Sequence, residues 1–388
     1  MAYSARLRKA VGAVRATLSA VELCDVQAPE FAQHGDHAVA ADAPLVLVAC
    51  SGGRDSMALA AVSHIVCTSM GVRCGAVIVD HGLQAGSEQV ASEAADRCHA
   101  LGLGPVIMRN ATVQARGEGL EAAARQARYD ELCAAAHESG AIAVLLAHTM
   151  DDQAETVLIR LLRSRGVDAL AGMPQVFTRS GATFARPLLT LTRAETTGIC
   201  EDLGVEYWDD PTNGDAVDGE LPNDYPLRSR VRHDLLPAIE RFAGFNVPRH
   251  FAESAQLARM DKEYLDQRSD EVMGEAVTAV DRPASSAAVS TDTPRACAAD
   301  DTNDSGHGIG LMIGVKRIAR EPEAIRLRVI AHALSQAGVN ASAAQIAAID
   351  RLVVDWHGQG GVSLPRGYSA NRKKHVIRVC QDGAHANR

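Results

Sequence analysis

The chain has 388 residues and carries 39 lysines and arginines against 48 aspartates and glutamates, a net charge of −9. This length exceeds that of one ordinary hydrophobic core, so two or three domains are expected. The acidic balance argues against a protein that coats nucleic acid non-specifically, but it is compatible with a local basic face.

The cysteines and the apolar segments bear on the compartment. Nine cysteines are scattered along the chain without a Cys-x-x-Cys pair, which favours reduced thiols over a disulfide framework or a zinc site. Residues 1–20 alternate arginine with apolar residues and lack the continuous apolar core of a signal peptide. No apolar run approaches membrane-spanning length. These features predict a soluble, cytoplasmic protein that does not bind a membrane.

The first half of the chain has the pattern of an α/β domain. Residues 1–43 are predicted to form a helix and a loose arm. From residue 44 onward, short aliphatic runs alternate with helix-forming segments, which predicts a Rossmann-like, doubly wound parallel sheet with ligands at the carboxyl ends of its strands. The predicted strands are 44–50, 73–80, 105–108 and 141–147. A helix is expected directly after residue 56, and further helices are predicted at 87–101, 119–139 and 151–163.

The second half is predicted to be smaller and mainly helical. Residues 216–275 are expected to form a helical extension with a basic patch. Residues 276–310 are rich in small and polar residues, which predicts a low-complexity linker or insertion. Residues 311–388 are expected to form a small domain, with helices at 321–337 and 342–356 and a hairpin at 361–379.

The loop after the first predicted strand is the strongest local signal. Its glycines let the backbone approach an anion, and the following helix offers free N–H groups and a positive dipole end. Phosphate oxygens are therefore the expected ligand, and the alternative is an ordinary tight turn capped by a polar side chain. The chain contains neither a Walker motif nor a dinucleotide-binding Gly-x-Gly-x-x-Gly motif, which argues against a kinase, a GTPase or a nicotinamide or flavin enzyme. The loop consists of Ser51, Gly52, Gly53, Arg54, Asp55 and Ser56.

A second polar cluster follows the fourth predicted strand, at His148–Thr156. Helix capping accounts for one of its early aspartates, but not for His148, Asp152 and Glu155 together. Asp152 and Glu155 are three residues apart and therefore share a helix face. Their carboxylates suit Mg²⁺ or an ammonium group, and His148 is suited to orient a phosphate or to transfer a proton.

Three groups of basic residues have two interpretations each. Arg125 and Arg128 either lie on an exposed helix face or reach phosphate. The segment Arg228–Pro237 is either a solvated basic face or a patch for RNA phosphate or an adenylate. A third group near the tail is interpreted as an RNA backbone contact or a solvated face; it consists of Arg366, Arg372, Lys373, Lys374 and His375.

With these motifs in order, the chain resembles the tRNA(Ile)-lysidine synthases, a family of the PP-loop (N-type) ATP pyrophosphatases with an adenine nucleotide alpha hydrolase-like fold. The resemblance covers about residues 44–240 and weakens toward the tail. It implies a PP-loop catalytic domain at 44–215 and a small tRNA-binding domain at 311–388. The motifs beyond the glycine loop are Asp80–Leu83, Glu118–Tyr129, His148–Thr156, Gly172–Pro174, Arg186–Leu189 and Trp208–Asn213.

The resemblance implies an ATP- and Mg²⁺-dependent ligase that acts on the wobble cytidine of tRNA(Ile) with a CAU anticodon. The oxygen on carbon 2 of the base attacks the α-phosphate of ATP and releases pyrophosphate. The ε-amine of L-lysine then displaces AMP. The product, lysidine, pairs with A instead of G, so that the tRNA reads AUA instead of AUG. A homodimer is included among the expected assemblies.

The same resemblance assigns roles to residues. ATP would be bound by Ser51, Gly52, Gly53, Arg54, Asp55 and Ser56, and the metal by Asp55 and Asp152. Lysine or Mg²⁺ would be held by Asp152 and Glu155, while Arg228 and Arg232 would stabilise the adenylated base or the nearby tRNA. The full set of predicted catalytic residues is Asp55, Arg125, His148, Asp152, Glu155, Arg228 and Arg232.

The sequence departs from the family in places, and rival functions stay open. Arg228 is followed by Ser229 where the family often has asparagine, and the tail is short for two accessory domains. A tRNA thiolase or another PP-loop adenylating enzyme is the nearest rival, although paired cysteines are missing. A non-catalytic nucleotide- or RNA-binding protein is a further alternative, although the acidic residues are intact.

Overall fold

The computed structural model describes residues 3–21, 39–82, 86–113, 119–164, 166–210, 217, 219–279 and 308–381. The chain divides into two compact units, Met1–Arg259 and Met260–Arg388. Within the described segments no helix is both long enough and apolar enough to cross a membrane. The seven cysteines that fall in these segments are free thiols, as their spacing predicted.

The first unit is built around a six-stranded sheet. Its strands are β1 (Leu45–Ala49), β2 (Arg73–Asp80), β3 (Val106–Asn110), β4 (Ala143–Leu145), β5 (Val176–Arg179) and β6 (Ala182–Ala185). Their order in the sheet is β3-β2-β1-β4-β6-β5. All neighbours pair in parallel except β5 and β6, which form an antiparallel hairpin at one edge. The parallel sheet predicted from the sequence is confirmed, and the edge hairpin is an addition that the sequence did not indicate.

Helices cover both faces of this sheet. One face is covered by α1 (Ala5–Ala20), α2 (Arg54–Met70), α3 (Ser87–Ala100) and α7 (Arg193–Leu203), and the other by α4 (Leu120–Ser139). The remaining helices are α5 (Met150–Arg163), α6 (Val167–Leu170), α8 (Leu227–Arg230) and α9 (Leu236–Ala243). A π-helical turn at Val231–Leu235 joins α8 to α9, and α10 (Val247–Ala276) follows. Most of the predicted elements therefore exist, with ends that differ by a few residues.

The alternation of side chains along β1 explains how the two layers form. Successive side chains of a strand point to opposite faces of the sheet. Val46 and Val48 belong to the apolar core shared with α1, α2, α3 and α7. Leu45 and Leu47 belong to the core on the other face, where α4 packs. Because both faces are covered, the strand is apolar throughout, as is usual for a parallel sheet.

The strand order creates a crevice beside β1. The chain runs from β1 to β2 on one side, whereas β4 pairs with the other side of β1. In open α/β sheets, ligands bind at such a reversal, outside the carboxyl ends of the strands. The loop after β1 and the polar segment after β4 both lie at this point.

The second unit contains a five-stranded antiparallel sheet of order β7-β8-β11-β10-β9. Its helices are α11 (Val315–Ile318), α12 (Glu323–Gln336) and α13 (Ala343–Val354), and its strands are β7 (Val277–Ala279), β8 (Gly308–Gly314), β9 (Val362–Leu364), β10 (Tyr368–Lys373) and β11 (Val376–Gln381). The two helices and the hairpin expected here are present. The structure adds a sheet to a region expected to be mainly helical. The two ends of the predicted linker 276–310 form strands, β7 and the start of β8. Residues 280–307 of the predicted linker lie outside the described residues.

Candidate active site

A cavity of about 370 Å³ opens at the carboxyl ends of β1, β2 and β4. This volume falls within the range of small-molecule sites. Its lining combines the loop after β1, polar residues after β2 and β4, and side chains from α4, α5 and α7. The polar lining residues are Ser51, Arg54, Asp55, Ser56, Asp80, His81, Ser87, Arg128, His148, Asp152, Arg193, Asp209, Asp210 and Arg232.

The loop after β1 has a backbone that only glycine tolerates at one position. Gly52 has φ +77°, and a Cβ atom added there would lie 2.9 Å from the Cβ of Ala94 on α3. The carbonyl of Gly52 accepts a hydrogen bond from the N–H of Trp208 at 2.9 Å. The loop is thus held between α3 and the segment around Trp208.

Hydroxyl groups fix the loop from inside. The Oγ of Ser56 donates to the carbonyl of Gly53 at 2.8 Å and accepts from the N–H of Ser51 at 3.2 Å. The residue that precedes α2, Gly53, provides no side chain to cap the helix. The first N–H groups of α2 therefore stay available for an anion, which is the arrangement found where phosphate binds a helix N-terminus.

His148 is a neutral hydrogen-bonding group in this cavity. Burial, together with the positive charge of Arg186, lowers its pKa to about 3 against the opposing effect of Asp152. The Nε of Arg186 donates to its Nδ1 at 3.2 Å. The proton of the neutral ring is therefore on Nε2, which can donate to a ligand. The side chain is suited to orient a phosphate or a base, and its ring is not a cation at neutral pH.

Asp152 has one oxygen in a helix cap and one in the site. Its Oδ2 accepts from the N–H of Thr149 at 2.8 Å, which closes a capping box at the start of α5. Its Oδ1 lies 3.4 Å from Arg193 and 3.7 Å from Arg228 and from Arg232. Although burial acts in the opposite direction, the charge of Arg193 and its neighbours holds the pKa of Asp152 at about 2. Asp152 therefore caps α5 and also lines the cavity, and its role toward a ligand stays a prediction.

Glu155 is fully buried beneath Arg228 and Arg232, and its side chain is 0% exposed. Its Oε1 accepts from the Nε of Arg232 at 2.7 Å, and its Oε2 accepts from Arg228 and from Arg232, both at 3.2 Å. A buried carboxylate requires such partners, because an unpaired buried charge is strongly unfavourable. Glu155 thus fixes the positions of the two guanidinium groups.

Arg193, the first residue of α7, joins this cluster to the loop after β1. Its Nε lies 3.6 Å from Oδ2 of Asp55, and its Nη2 lies 3.6 Å from Oε1 of Glu155. Its backbone N–H donates to Asp151 at 2.8 Å. Sequence reasoning missed this residue, although the capping pair Thr192 and Glu195 marks the start of its helix. We name the six residues Asp55, Asp152, Glu155, Arg193, Arg228 and Arg232 the charge cluster.

Comparison with known proteins shows the family to which the chain belongs. Residues 27–239 match the model of a PP-loop domain, and residues 315–379 match the model of a TilS substrate binding domain. A tRNA(Ile)-lysidine synthase of Bifidobacterium longum (strain NCC 2705) is 98% identical over 388 residues, which is 100% of both chains. The chain belongs to the tRNA(Ile)-lysidine synthase family.

More distant relatives carry the same name. The tRNA(Ile)-lysidine synthase of Bifidobacterium animalis subsp. lactis (strain AD011) is 50% identical over 100% of this chain and 98% of the relative. The tRNA(Ile)-lysidine synthase of Leifsonia xyli subsp. xyli (strain CTCB07) is 39% identical over 91% of this chain and 95% of the relative. Among solved structures, the U34-tRNA thiolase NcsA from Methanococcus maripaludis with its [4Fe-4S] cluster is a distant match. It has a TM-score of 0.46 and 16% identity over 65% of this chain and 80% of that chain. The resemblance and the ATP-dependent ligase activity predicted from the sequence are confirmed by the family membership.

The predicted site residues other than Arg125 fall into three groups by their position. Ser51, Gly53, Arg54, Asp55 and Ser56 line the cavity, together with His148, Asp152 and Arg232. Gly52 does not line the cavity; it holds the loop against Ala94 and Trp208. Glu155 and Arg228 reach the site through the other members of the charge cluster.

Arg125 and Arg128 have different positions. Arg128 lines the cavity, whereas the exposed Arg125 stacks on the ring of Tyr129 at 5.2 Å and donates to its hydroxyl group at 3.5 Å. Burial lowers the pKa of Arg128, and its Nε is buried without a hydrogen-bond partner within the described residues. The sequence placed Arg125 in the catalytic set, but the geometry favours Arg128 for contact with an anion.

The carboxylates around the cavity can be tested as a metal site. Among the described residues, no group of three or more His, Cys, Asp or Glu side chains has the geometry of a metal cage. Asp55 and Asp152 nevertheless both line the cavity next to the phosphate-binding loop. One or two carboxylates plus substrate phosphates are the usual ligands of Mg²⁺ in nucleotide enzymes. The donor set therefore fits a Mg²⁺ ion that binds together with ATP.

Proposed function

We propose that the cavity beside β1 carries out both steps of lysidine formation on tRNA(Ile), with ATP as the adenylating substrate and L-lysine as the nucleophile. The observation that carries this proposal is the juxtaposition of two sites in one cavity. The uncapped N-terminus of α2 suits the phosphates, and the charge cluster supplies cations for the adenylate and carboxylates for an ammonium group.

In the first step, the oxygen on carbon 2 of the cytidine attacks the α-phosphate, and pyrophosphate leaves. The N–H groups at the start of α2 and the side chain of Ser51 would hold the leaving pyrophosphate. Arg128 and Arg232 would stabilise the negative charge that develops on the α-phosphate, which is how guanidinium groups assist phosphoryl transfer. The neutral His148 would donate a hydrogen bond from its Nε2.

Mg²⁺ supplies charge neutralisation for the phosphates when it is bound. Asp55 would be its protein ligand beside the substrate phosphates, which leaves Oδ1 of Asp152 to the ammonium group of lysine. Asp55 is positioned for this by the hydroxyl group of Thr196, which donates to its Oδ1. Burial raises the pKa of Asp55, whereas Arg193 opposes that change.

In the second step, the ε-amine of lysine attacks carbon 2 of the adenylated base, the C–N bond forms, and AMP leaves with the oxygen. Asp152 would hold the ammonium group of the incoming lysine, because its Oδ1 faces the cavity. Glu155 would act through Arg228 and Arg232, which it positions by direct hydrogen bonds. The ammonium group must lose a proton before its nitrogen attacks, and because the pKa of Asp152 is held at about 2, that proton goes to solvent and not to Asp152.

We further propose that the second unit binds the tRNA. Its support is the match of residues 315–379 to a substrate binding domain and a basic group at the β10–β11 turn. Arg372 stacks on Trp356 at 4.5 Å and donates to the carbonyl of Leu352 at 2.6 Å, so it stabilises the turn. Lys373 and Lys374 are the better candidates for phosphate contact. A cytoplasmic location would fit these substrates, and the homodimer stays a prediction.

The direct test is incorporation of labelled lysine. Purified protein is incubated with ATP, Mg²⁺, labelled L-lysine and a tRNA(Ile) transcript that has a CAU anticodon. We expect label in this transcript and not in a methionine tRNA, which has the same anticodon. Release of pyrophosphate should depend on the tRNA, since the base is the nucleophile of the first step.

Two results would separate the rival functions. Pyrophosphate release without lysine incorporation, but with transfer of sulfur, would indicate a thiolase. ATP binding without any turnover, across varied salt and Mg²⁺ concentrations, would indicate a non-catalytic nucleotide-binding protein and would contradict the proposal.

A further inference from the structure

The charge cluster is internally neutral, which raises the question of how a lysine ammonium group can enter it. Three carboxylates (Asp55, Asp152 and Glu155) face three guanidinium groups (Arg193, Arg228 and Arg232) at 2.7–3.7 Å. A fourth cation would meet carboxylate oxygens that already have positive partners. Like charges at this distance disfavour each other, so the cluster as it stands is a poor site for lysine.

Arg193 is the member that competes most directly. Its Nη2 lies 3.4 Å from Oδ1 of Asp152, and this is the oxygen that faces the cavity, since Oδ2 is used in the helix cap. A lysine ammonium group that binds this oxygen therefore competes first with Arg193, and then with Arg228 and Arg232, which lie 3.7 Å away. The side chain of Arg193 is 16% exposed and lines the cavity, so its guanidinium group can also reach a ligand there.

Phosphate provides the alternative partner for Arg193. The same guanidinium group lies 3.6 Å from Asp55 in the first turn of α2, next to the N–H groups that suit a phosphate. An ATP molecule bound at the loop brings several negative charges into the cavity. Guanidinium groups form strong, often bidentate hydrogen bonds with phosphate. Phosphate would therefore attract Arg193 and leave Oδ1 of Asp152 without its closest cation.

We propose that Arg193 couples the two substrate sites, so that lysine binds tightly only when the phosphates of ATP are present. This inference rests on the proposed function, because it assumes that lysine and ATP use this cavity. It assigns to Arg193 a positioning role that decides the order of binding. Energetic coupling between two ligands is reciprocal, so lysine must also tighten the binding of ATP by the same factor.

The experiment measures lysine affinity by equilibrium dialysis of labelled L-lysine. It is carried out with and without an ATP analogue that has a methylene group between the α- and β-phosphorus atoms, which blocks adenylation. Mg²⁺ is present in both arms and tRNA is absent. For the unchanged protein, we expect the analogue to strengthen lysine binding about tenfold or more, within the usual range of coupling between sites. Equal affinity in both arms would overturn the proposal.

Two variants test the residue. Arg193→Gln removes the charge, so lysine should bind several-fold more tightly without the analogue, and the coupling factor should fall toward about one. Arg163→Gln is the matched control, because it removes one positive charge from the exposed end of α5 and should leave the coupling unchanged. Full coupling in a folded Arg193→Gln protein would overturn the assignment. If that variant does not fold, Arg193→Lys keeps the charge and should keep most of the coupling, and loss of coupling there would overturn it as well.

Incorporation of lysine into tRNA is measured on the same preparations. A protein that forms lysidine but shows no coupling contradicts only the role of Arg193. A protein that neither forms lysidine nor binds lysine contradicts the proposed function itself. The two failures are therefore distinguishable.

Discussion

The phosphate loop and the charge cluster meet at the same cavity but are built in opposite ways. The loop is six consecutive residues whose backbone geometry is set by Gly52 and by internal hydrogen bonds of Ser56. The charge cluster collects side chains from α2, α5, α7, α8 and the π-helical turn, and ion pairs hold them together. The first site is rigid and offers unused N–H groups, whereas the second site is saturated by its own partners. A ligand can enter the loop directly, but it must exchange partners in the cluster.

The largest expected effect tests the backbone half of this comparison. In Gly52→Ala, the new Cβ would collide with Ala94, and residue 52 would have to adopt a left-handed backbone conformation. This strain costs about 1–3 kcal/mol of stability. The displaced N–H groups should lower kcat/KM for ATP by about 100- to 1,000-fold. Steady-state kinetics of pyrophosphate release measures this.

Gly53→Ala is the control for that experiment. Gly53 does not have a positive φ, and the nearest atom to an added Cβ lies 3.5 Å away, which is an ordinary contact. Its loss of activity should therefore be much smaller than that of Gly52→Ala. Equal losses in the two variants would show that the backbone of Gly52 is not what positions the phosphate.

The next effect tests the side-chain half. Glu155→Gln removes the buried carboxylate that positions Arg228 and Arg232. Because Arg228 and Arg232 lose their closest carboxylate, we expect a loss of about 3 kcal/mol in the free energy of unfolding and about a 100-fold fall in lysidine formation. Urea unfolding and lysine incorporation measure the two changes. The same substitution at Glu201, whose side chain is 66% exposed, should change neither, and an active, stable Glu155→Gln protein would contradict the cluster's role.

A smaller effect distinguishes the two arginines of α4. Arg128→Ala should lower kcat/KM for ATP by about 10- to 100-fold, because the side chain lines the cavity. Arg125→Ala removes an exposed side chain that contacts Tyr129, and we expect a change below about threefold. The reverse ranking, measured in the same assay, would restore the assignment made from the sequence.

The smallest effect concerns the pH dependence of stability. The pKa of His148 is lowered to about 3, below its unfolded value of about 6.5. Between these values the unfolded chain binds more protons, so stability falls as the pH is lowered from 7 to 5. His148→Gln should reduce that fall by about 1–2 kcal/mol in urea unfolding at the two pH values. The exposed His357 provides the control, and an unchanged fall in His148→Gln would show that His148 is not buried in its neutral form.

The sequence was sufficient for the parallel sheet of the first unit because its signals are local. Alternating aliphatic and helix-forming runs predicted the parallel sheet, and the edge hairpin of β5 and β6 was missed because its strands have four residues each. In the second unit, the glycine-rich strand β8 (Gly308–Gly314) borders a segment of low complexity. It is stabilised by pairing with β11 and β7, and such long-range pairing has no local pattern.

The candidate site also has one part that local sequence predicted and one part that depends on tertiary packing. The sequence by itself determined the phosphate loop, because adjacent residues encode a strand end, a positive φ and an uncapped helix start. Only the tertiary structure decided which charges meet. Arg232 and Glu155 are 77 residues apart in the chain, and Arg193 and Asp152 are 41 apart. Ion pairs depend on distance in space, so the partners of Glu155 and the position of Arg193 between two substrate sites emerged only when the helices were packed.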